Sequence, residues 1–200
     1  MNLKYALFIA VGLACFSNNA FAARQYSQEE IDFVTQKANK GDAASQEVLG
    51  EIYQTGDYGV EKDSFAAKDW YEKAIQLGNV NAMNNLANMY SEGDGVPQDY
   101  AKAMELLKKA DSLGSEYAAY NIASMYDSGE GVTKNTAKAI EWYEIATRKG
   151  NGSAFNNLGV IYKYGDGVPK NLTKAKEYFK QACLHKSAKG CENYRKLNIQ

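Results

Sequence analysis

Histidine is almost missing from this chain: His185 is the only one in 200 residues. A Ser-His-Asp triad, a Cys-His pair and a zinc-binding H-E-x-x-H all need a well-placed imidazole, so that scarcity removes much familiar chemistry. The acyl-transfer signatures S-x-x-K and G-x-S-x-G are missing too. Proline is nearly as rare, with Pro97 and Pro169 alone, and helices therefore run with little interruption. No apolar run reaches the ~20 residues that a membrane-spanning helix needs. Nor is there a basic run: 23 basic residues against 24 acidic ones leave a formal charge of −1, which argues against nucleic acid or an anionic membrane surface as partner.

The longest apolar stretch, Tyr5 to Phe16, follows Lys4 and precedes Ala20-Phe21-Ala22. A positive start, a short apolar centre and a small-x-small end describe a secretory signal peptide, here residues 1–22, cut after Ala22. Gly12-Leu13-Ala14-Cys15 loosely resembles a bacterial lipoprotein cleavage box, but its leucine is one place out of position, and Ala20 to Ala22 is the better site. Cleavage removes one base and no acid, moving the formal charge from −1 to −2. A periplasmic or secreted location is the expectation.

Self-comparison is more informative. Tyr53, Tyr90, Tyr126 and Tyr162 follow one another at intervals of 37, 36 and 36 residues, a period that marks a repeat architecture. Leu49-Gly50, Leu86-Ala87, Ile122-Ala123 and Leu158-Gly159 precede them at a constant offset, and each unit closes on a glycine: Gly41, Gly78, Gly114 and Gly150. The phrase G-[DE]-G-V recurs as well, stretched to G-D-Y-G-V in the first copy, where Tyr58 is the extra residue. A phosphate-cradling loop would need a Lys-Ser/Thr and a preceding strand, and a calcium loop regular acids and a closing glutamate; neither pattern is present. Four repetitions point to architecture: glycine lets the chain leave a helix through a left-handed conformation and turn back.

Each unit reads as two helices. The first carries Ala82, Leu86, Ala87 and Tyr90, the second Ala103, Leu106, Leu107 and Ala110, the 3-and-4 spacing of one buried stripe. Ala67, Trp70, Tyr71 and Ala74 repeat the second stripe, as do Ala139, Trp142, Tyr143 and Ala146, then Ala175, Tyr178, Phe179 and Ala182. A helix pair of this size cannot bury its apolar faces alone, so stacked neighbours and terminal caps are expected. Ser27 to Glu30 forms a capping box for a lone helix to about residue 40, and residues 188–197 supply a last first-type helix, with Gly190 in the small-residue place. The expected fold is all-α: a right-handed α-solenoid of antiparallel helix pairs with about ten helices, one unit over 23–200 with four repeats over about 42–186.

The pattern A-x-x-x-L-G-x-x-Y-x-x-G-x-G-V, followed by K-A, W-Y-x-K-A and a closing glycine, resembles the Sel1-like repeat, a relative of the tetratricopeptide repeat. It is clearest over 154–182 and 66–78 and covers about 40–197. Alanine at 87 and 123, Leu106-Leu107 in place of Trp-Tyr, and Lys186 in place of a closing glycine are the departures; the last predicts a different start for the final helix. The resemblance implies binding of another protein or extended peptide by a monomeric chain, without cofactor or metal. Some periplasmic members are immunity partners of phospholipase toxins, others assist envelope assembly or contact host proteins, and some cysteine-rich members are associated with β-lactam binding or hydrolysis, so a β-lactam or cell-wall hydrolase is the alternative. No residue here supports that hydrolase reading, so no catalytic residue is assigned.

Cys183 and Cys191 fall at the end of one helix and the start of the next, where antiparallel packing brings side chains together. In an oxidising compartment a disulfide is expected, with free thiols or a metal pair as the alternatives; the spacing of eight is similar to that of the cysteine-rich Sel1-like proteins.

In repeats of this type the first helices line the concave surface, so positions two before, two after and five after the buried leucine face a ligand. These are Glu47, Glu51 and Gln54; Asn84, Asn88 and Ser91; Tyr120, Ser124 and Asp127; and Asn156, Val160 and Lys163, with Tyr117 one turn before Tyr120. Amides both donate to and accept from a peptide backbone, and tyrosines carry much of interface energetics. Tyr58, in the irregular first loop, is a second candidate patch. N-terminal sequencing of exported protein is expected to begin at Ala23; a lipid-modified Cys15 at the N-terminus would overturn the leader assignment.

Overall fold

The computed structural model describes residues 27–198; the expected leader over 1–22, its expected cleavage site and Cys15 lie outside them. Ten α-helices and no strand occur among the described residues: α1 (Gln28–Asn39), α2 (Ala43–Thr55), α3 (Ser64–Gln76), α4 (Val80–Glu92), α5 (Tyr100–Ser112), α6 (Ala118–Ser128), α7 (Thr136–Arg148), α8 (Gly152–Tyr164), α9 (Leu172–Leu184) and α10 (Ala188–Asn198). Each helix packs on the next, and the even-numbered first helices also touch one another, α2 on α4 and α8 on α10. This is an α-solenoid of four helix pairs between a lone N-terminal helix and a final first-type helix.

Local chemistry starts and stops every helix. Ser27 opens α1 with a full capping box to Glu30. Asp63, Asp99, Asn135 and Asn171 each cap a second helix with a side-chain oxygen. The N–H of each also donates to the carbonyl of Tyr53, Tyr90, Tyr126 or Tyr162 in its own unit, always at 2.8 Å. One residue thus closes the loop and begins the next helix.

The two glycines of G-[DE]-G-V have separate jobs. Gly56, Gly93, Gly129 and Gly165 end the first helices in left-handed conformation, with φ between 72° and 83°. The second glycines are also left-handed, but they additionally meet the preceding unit: a Cβ on Gly95 would collide with Ser64, one on Gly131 with Tyr100, and one on Gly167 would lie 2.9 Å from Thr136 Cβ. Those partners are the first residues of α3, α5 and α7. Gly59 has no such neighbour within 4 Å, since among the described residues no second-type helix stands before its unit.

The core is built from matched sizes. Tyr71 and Phe179 are fully buried, and their rings lie where a Cβ on Gly50 or Gly159 would be, at 2.5 and 2.6 Å. In the middle units the small partner is alanine, with Ala87 in one core with Leu107 and Ala123 in one with Tyr143. The valines behind the turns sit against the same cores, Val96 buried and Val132 and Val168 partly so.

Cys183 and Cys191 form a disulfide between α9 and α10. It closes a loop of eight residues and contributes about 2.5 kcal/mol on the chain-entropy account. Lys186 does not redirect the chain as its sequence position suggests: it takes φ 62° and makes the turn of Gly78, Gly114 and Gly150, and Ser187 N donates to Ala182 O just as Asn79 N does to Ala74 O. A side chain in that conformation costs roughly 1 kcal/mol, offset by the neighbouring crosslink.

Gly131→Ala and Gly59→Ala both place a Cβ at positive φ, which costs about 1 kcal/mol each. Only Gly131→Ala also forces apart two units, adding roughly 1–3 kcal/mol; urea denaturation of both variants is expected to separate them by that margin.

Candidate functional site

The first helices form one layer, and asparagine side chains join it from unit to unit. Asn79 Nδ2 donates to Ala43 O at 3.1 Å and Asn151 Nδ2 to Glu116 O at 3.2 Å. Ser115 stands at the equivalent place in the third unit and cannot supply an amide. There the bond is reversed, with Asn84 Nδ2 donating to Ser115 Oγ at 2.7 Å, while Ser115 Oγ also receives the N–H groups of Tyr117 and Ala118.

A second column lies one residue before Leu86, Ile122, Leu158 and Tyr194: Asn85, Asn121, Asn157 and Asn193, at intervals of 36. Their amides reach Glu51 Oε1 at 3.3 Å, Asn88 Oδ1 at 3.4 Å, Tyr143 Oη at 2.9 Å and Asn156 Oδ1 at 2.9 Å. All four remain partly accessible. Offsets from the leucine alone do not select this column; the identity of the residue at a fixed period is the signal that does.

The sequence-selected positions separate by depth. Glu47, Asn84 and Asn156 are 7%, 4% and 7% exposed, so they lie between helices instead of opening onto the layer's surface. Tyr120, Asn88, Ser124, Val160 and Lys163 are half-buried and Glu51 is exposed. Tyr117, 51% exposed, stands clear of the core, and Lys163 reaches over the Tyr164 ring.

Two groupings form on this layer. Around Tyr143, whose hydroxyl donates towards Asp127 Oδ2 and meets Ser124 Oγ, both at 3.4 Å, the Tyr120 ring packs tilted at 5.8 Å between centroids. Burial pushes the Tyr143 phenol up to about 12, against hydrogen bonds from Ser124 and Asn157 that lower it. At the other end Glu51, Gln54 and Tyr58 come together with Val48, Ile52, Thr55, Asp57 and Asn85 around a cleft of about 250 Å³. Gln54 Oε1 accepts from Tyr71 Oη at 2.8 Å, and burial, then the charges of Glu51 and Glu47, push the Tyr71 phenol up. Tyr58 takes φ 63° at the rim.

Matches to a repeat-family model, Sel1 repeat, occupy residues 43–79, 80–115, 116–151 and 153–187. The chain belongs to the Sel1 repeat family. A Sel1 repeat protein from Oxalobacter formigenes is similar to it with TM-score 0.69 and 27% identity, over 81% of this chain and 71% of that one. The protein c5321, a protective antigen of uropathogenic Escherichia coli strains, matches with TM-score 0.69 and 34% identity over 80% of this chain. This Sel1 chain spans only 34% of that antigen's length. An immunity protein from Pseudomonas aeruginosa, at 22% identity, TM-score 0.60 and 91% and 64% of the two chains, shares the fold. No curated protein is similar enough in sequence to count as a relative.

Because Tyr143 is neutral in the fold up to about 12 but ionises near ~10 when unfolded, its contribution is complete below pH ~10 and is lost as pH rises towards 12. Tyr143→Phe is expected to cost roughly 1–2 kcal/mol near neutrality and to flatten the alkaline loss, measured by urea denaturation between pH 7 and 12; Tyr71 retains a share of that loss.

Proposed function

We propose that this chain is a non-catalytic scaffold, placed outside the cytoplasm, that binds another protein through an extended segment laid along the first-helix layer. The observation that carries this reading is the asparagine column, repeated at 36-residue intervals and flanked by the Glu51 cleft at one end and the Tyr120–Tyr143 cluster towards the other. A polypeptide backbone offers regularly spaced donors and acceptors, and a row of carboxamides can meet both. The tyrosines add contact area at low entropic cost. Lys163 and the acids of the cleft give the layer opposite charges at its two ends.

The compartment is supported by the disulfide, which persists where thiols are oxidised. No helix among the described residues is long and apolar enough to cross a membrane. The hydrolase reading has less behind it. The lone imidazole of His185 is stacked on Phe155 at 4.9 Å. Burial alone would raise Asp94, but the Ser64 hydroxyl and the Lys62 ammonium hold it below the ordinary carboxylate range, opposite to what a general acid needs. A toxin neutralised by this face and an envelope protein assisted by it are the partner classes.

A photo-reactive amino acid in place of Asn88 or Tyr120 is expected to crosslink one polypeptide in the cell envelope, whereas the same group at Glu105 on α5 gives none; the species captured identifies toxin or envelope protein. Asn88→Ala with Tyr120→Ala is expected to weaken that partner's binding about tenfold or more with the fold intact by circular dichroism. Unchanged affinity in both variants moves the binding site elsewhere.

A further inference from the structure

The cleft at the N-terminal end of the first-helix layer differs from everything else on that layer. Its wall combines the aliphatic carbons of Val48 and Ile52, the Tyr58 ring, and the carboxylates of Glu51 and Asp57. Its volume of about 250 Å³ is several times the ~30 Å³ that one water occupies. We propose that this cleft is a side-chain pocket that selects a lysine or arginine of the bound polypeptide. The proposal rests on the reading of the layer as a polypeptide-binding face and adds to it a chemical requirement on the partner.

Charge complementarity is the first argument. Among the described residues no lysine or arginine forms an ion pair with Glu51 or Asp57, and Lys62, which lies against Gly56 in the same loop, is engaged with Asp94 at 3.0 Å. The hydrogen bond from Asn85 at 3.3 Å orients the Glu51 carboxylate without neutralising it. The field of the pair reaches the pocket's own ring: after burial, Asp57 and then Glu51 raise the Tyr58 phenol and keep it uncharged. The three-ligand groupings that would hold a metal ion do not occur among the described residues, so a monovalent organic cation is the better match.

Shape is the second argument. Lysine and arginine carry three or four methylenes beneath a charged head, and such a stem lies favourably on an apolar wall with its head near water. Val48 and Ile52 provide that wall, and an aromatic face attracts a cation over it. The later loops have no counterpart of Tyr58, since it is the extra residue that makes the first loop one longer than the other three. Asn88, Ser124 and Val160 take the place of Glu51 in the later units, so no second unit can compete for the basic residue. One pocket at one end fixes the register and direction of an extended segment that the asparagine column alone would let slide.

A phage-displayed random dodecapeptide library panned on the folded chain tests this. Selected peptides are expected to share a lysine or arginine at one fixed position. Replacing that residue by norleucine or citrulline, or using Glu51→Gln with Asp57→Asn in the protein, is expected to weaken binding about tenfold or more, and the two changes together little more than either. Glu105→Gln with Glu141→Gln, exposed on α5 and α7, removes the same two charges as a control and is expected to leave affinity unchanged. Peptides that lose affinity to Asn88→Ala with Tyr120→Ala, yet are indifferent to the Glu51/Asp57 variant and carry no fixed basic residue, overturn the pocket and leave the face. Selected peptides indifferent to both variant pairs, or a library yielding no binder, overturn both.

Discussion

Everything in this solenoid depends on how closely a first helix can approach its second helix. The approach is possible because a ring on one side meets a missing side chain on the other: Tyr71 over Gly50, Phe179 over Gly159. Where the ring becomes Leu107, the glycine becomes Ala87, and the cores remain closed. Interiors packed to crystal density tolerate neither an extra methyl at the glycine nor a void at the ring. Unlike a globular core, this arrangement is repeated, so each unit hides only its own stripe and its neighbour's, and the chain grows along one axis.

The functional layer follows from that geometry. With the rings on the second helices facing inward, the first helices are left to contact one another, and they do so through polar side chains. Asparagine suits such a place because one amide can satisfy a neighbouring carbonyl while its remaining groups face solvent. The buried members, Asn84 and Asn156, tie helix to helix, and the shallower column of Asn85, Asn121, Asn157 and Asn193 stays partly accessible. Buried ties and accessible amides are thus divided between adjacent positions of one helix.

The two ends solve the problem of a missing neighbour differently. At the N-terminal end of the described residues α1 covers α2 with Ile31, Val34 and Ala38, and the first loop, which meets no preceding second helix there, carries Tyr58. At the C-terminus α10 is polar, its outer side carrying the Glu192–Lys196 pair, and the disulfide holds it through a turn that Lys186 makes at some cost. Crosslinking the last two helices acts where a repeat array would otherwise fray.

Helix positions, unit boundaries and core stripes were legible in the chain because each rests on a local rule repeated four times: glycine at a left-handed turn, an Asp or Asn cap, apolar residues at helical spacing. The Cys183–Cys191 pair, though it occurs once, was legible from a local rule as well, since short antiparallel connections constrain which residues meet. Depth was not. Glu47, Asn84 and Asn156 are buried although they share a helical offset with half-exposed Tyr120, and the contacts of Asn84 and Asn156 with the next unit join residues more than thirty apart. The meeting of Glu51, Asp57 and Tyr58 around one cleft also needed the fold, because an inserted loop residue has no periodic counterpart from which its position could be read. Sequence determined which elements form and in what order; tertiary structure alone decided which of their polar side chains stay accessible, because depth depends on contacts between residues more than thirty apart.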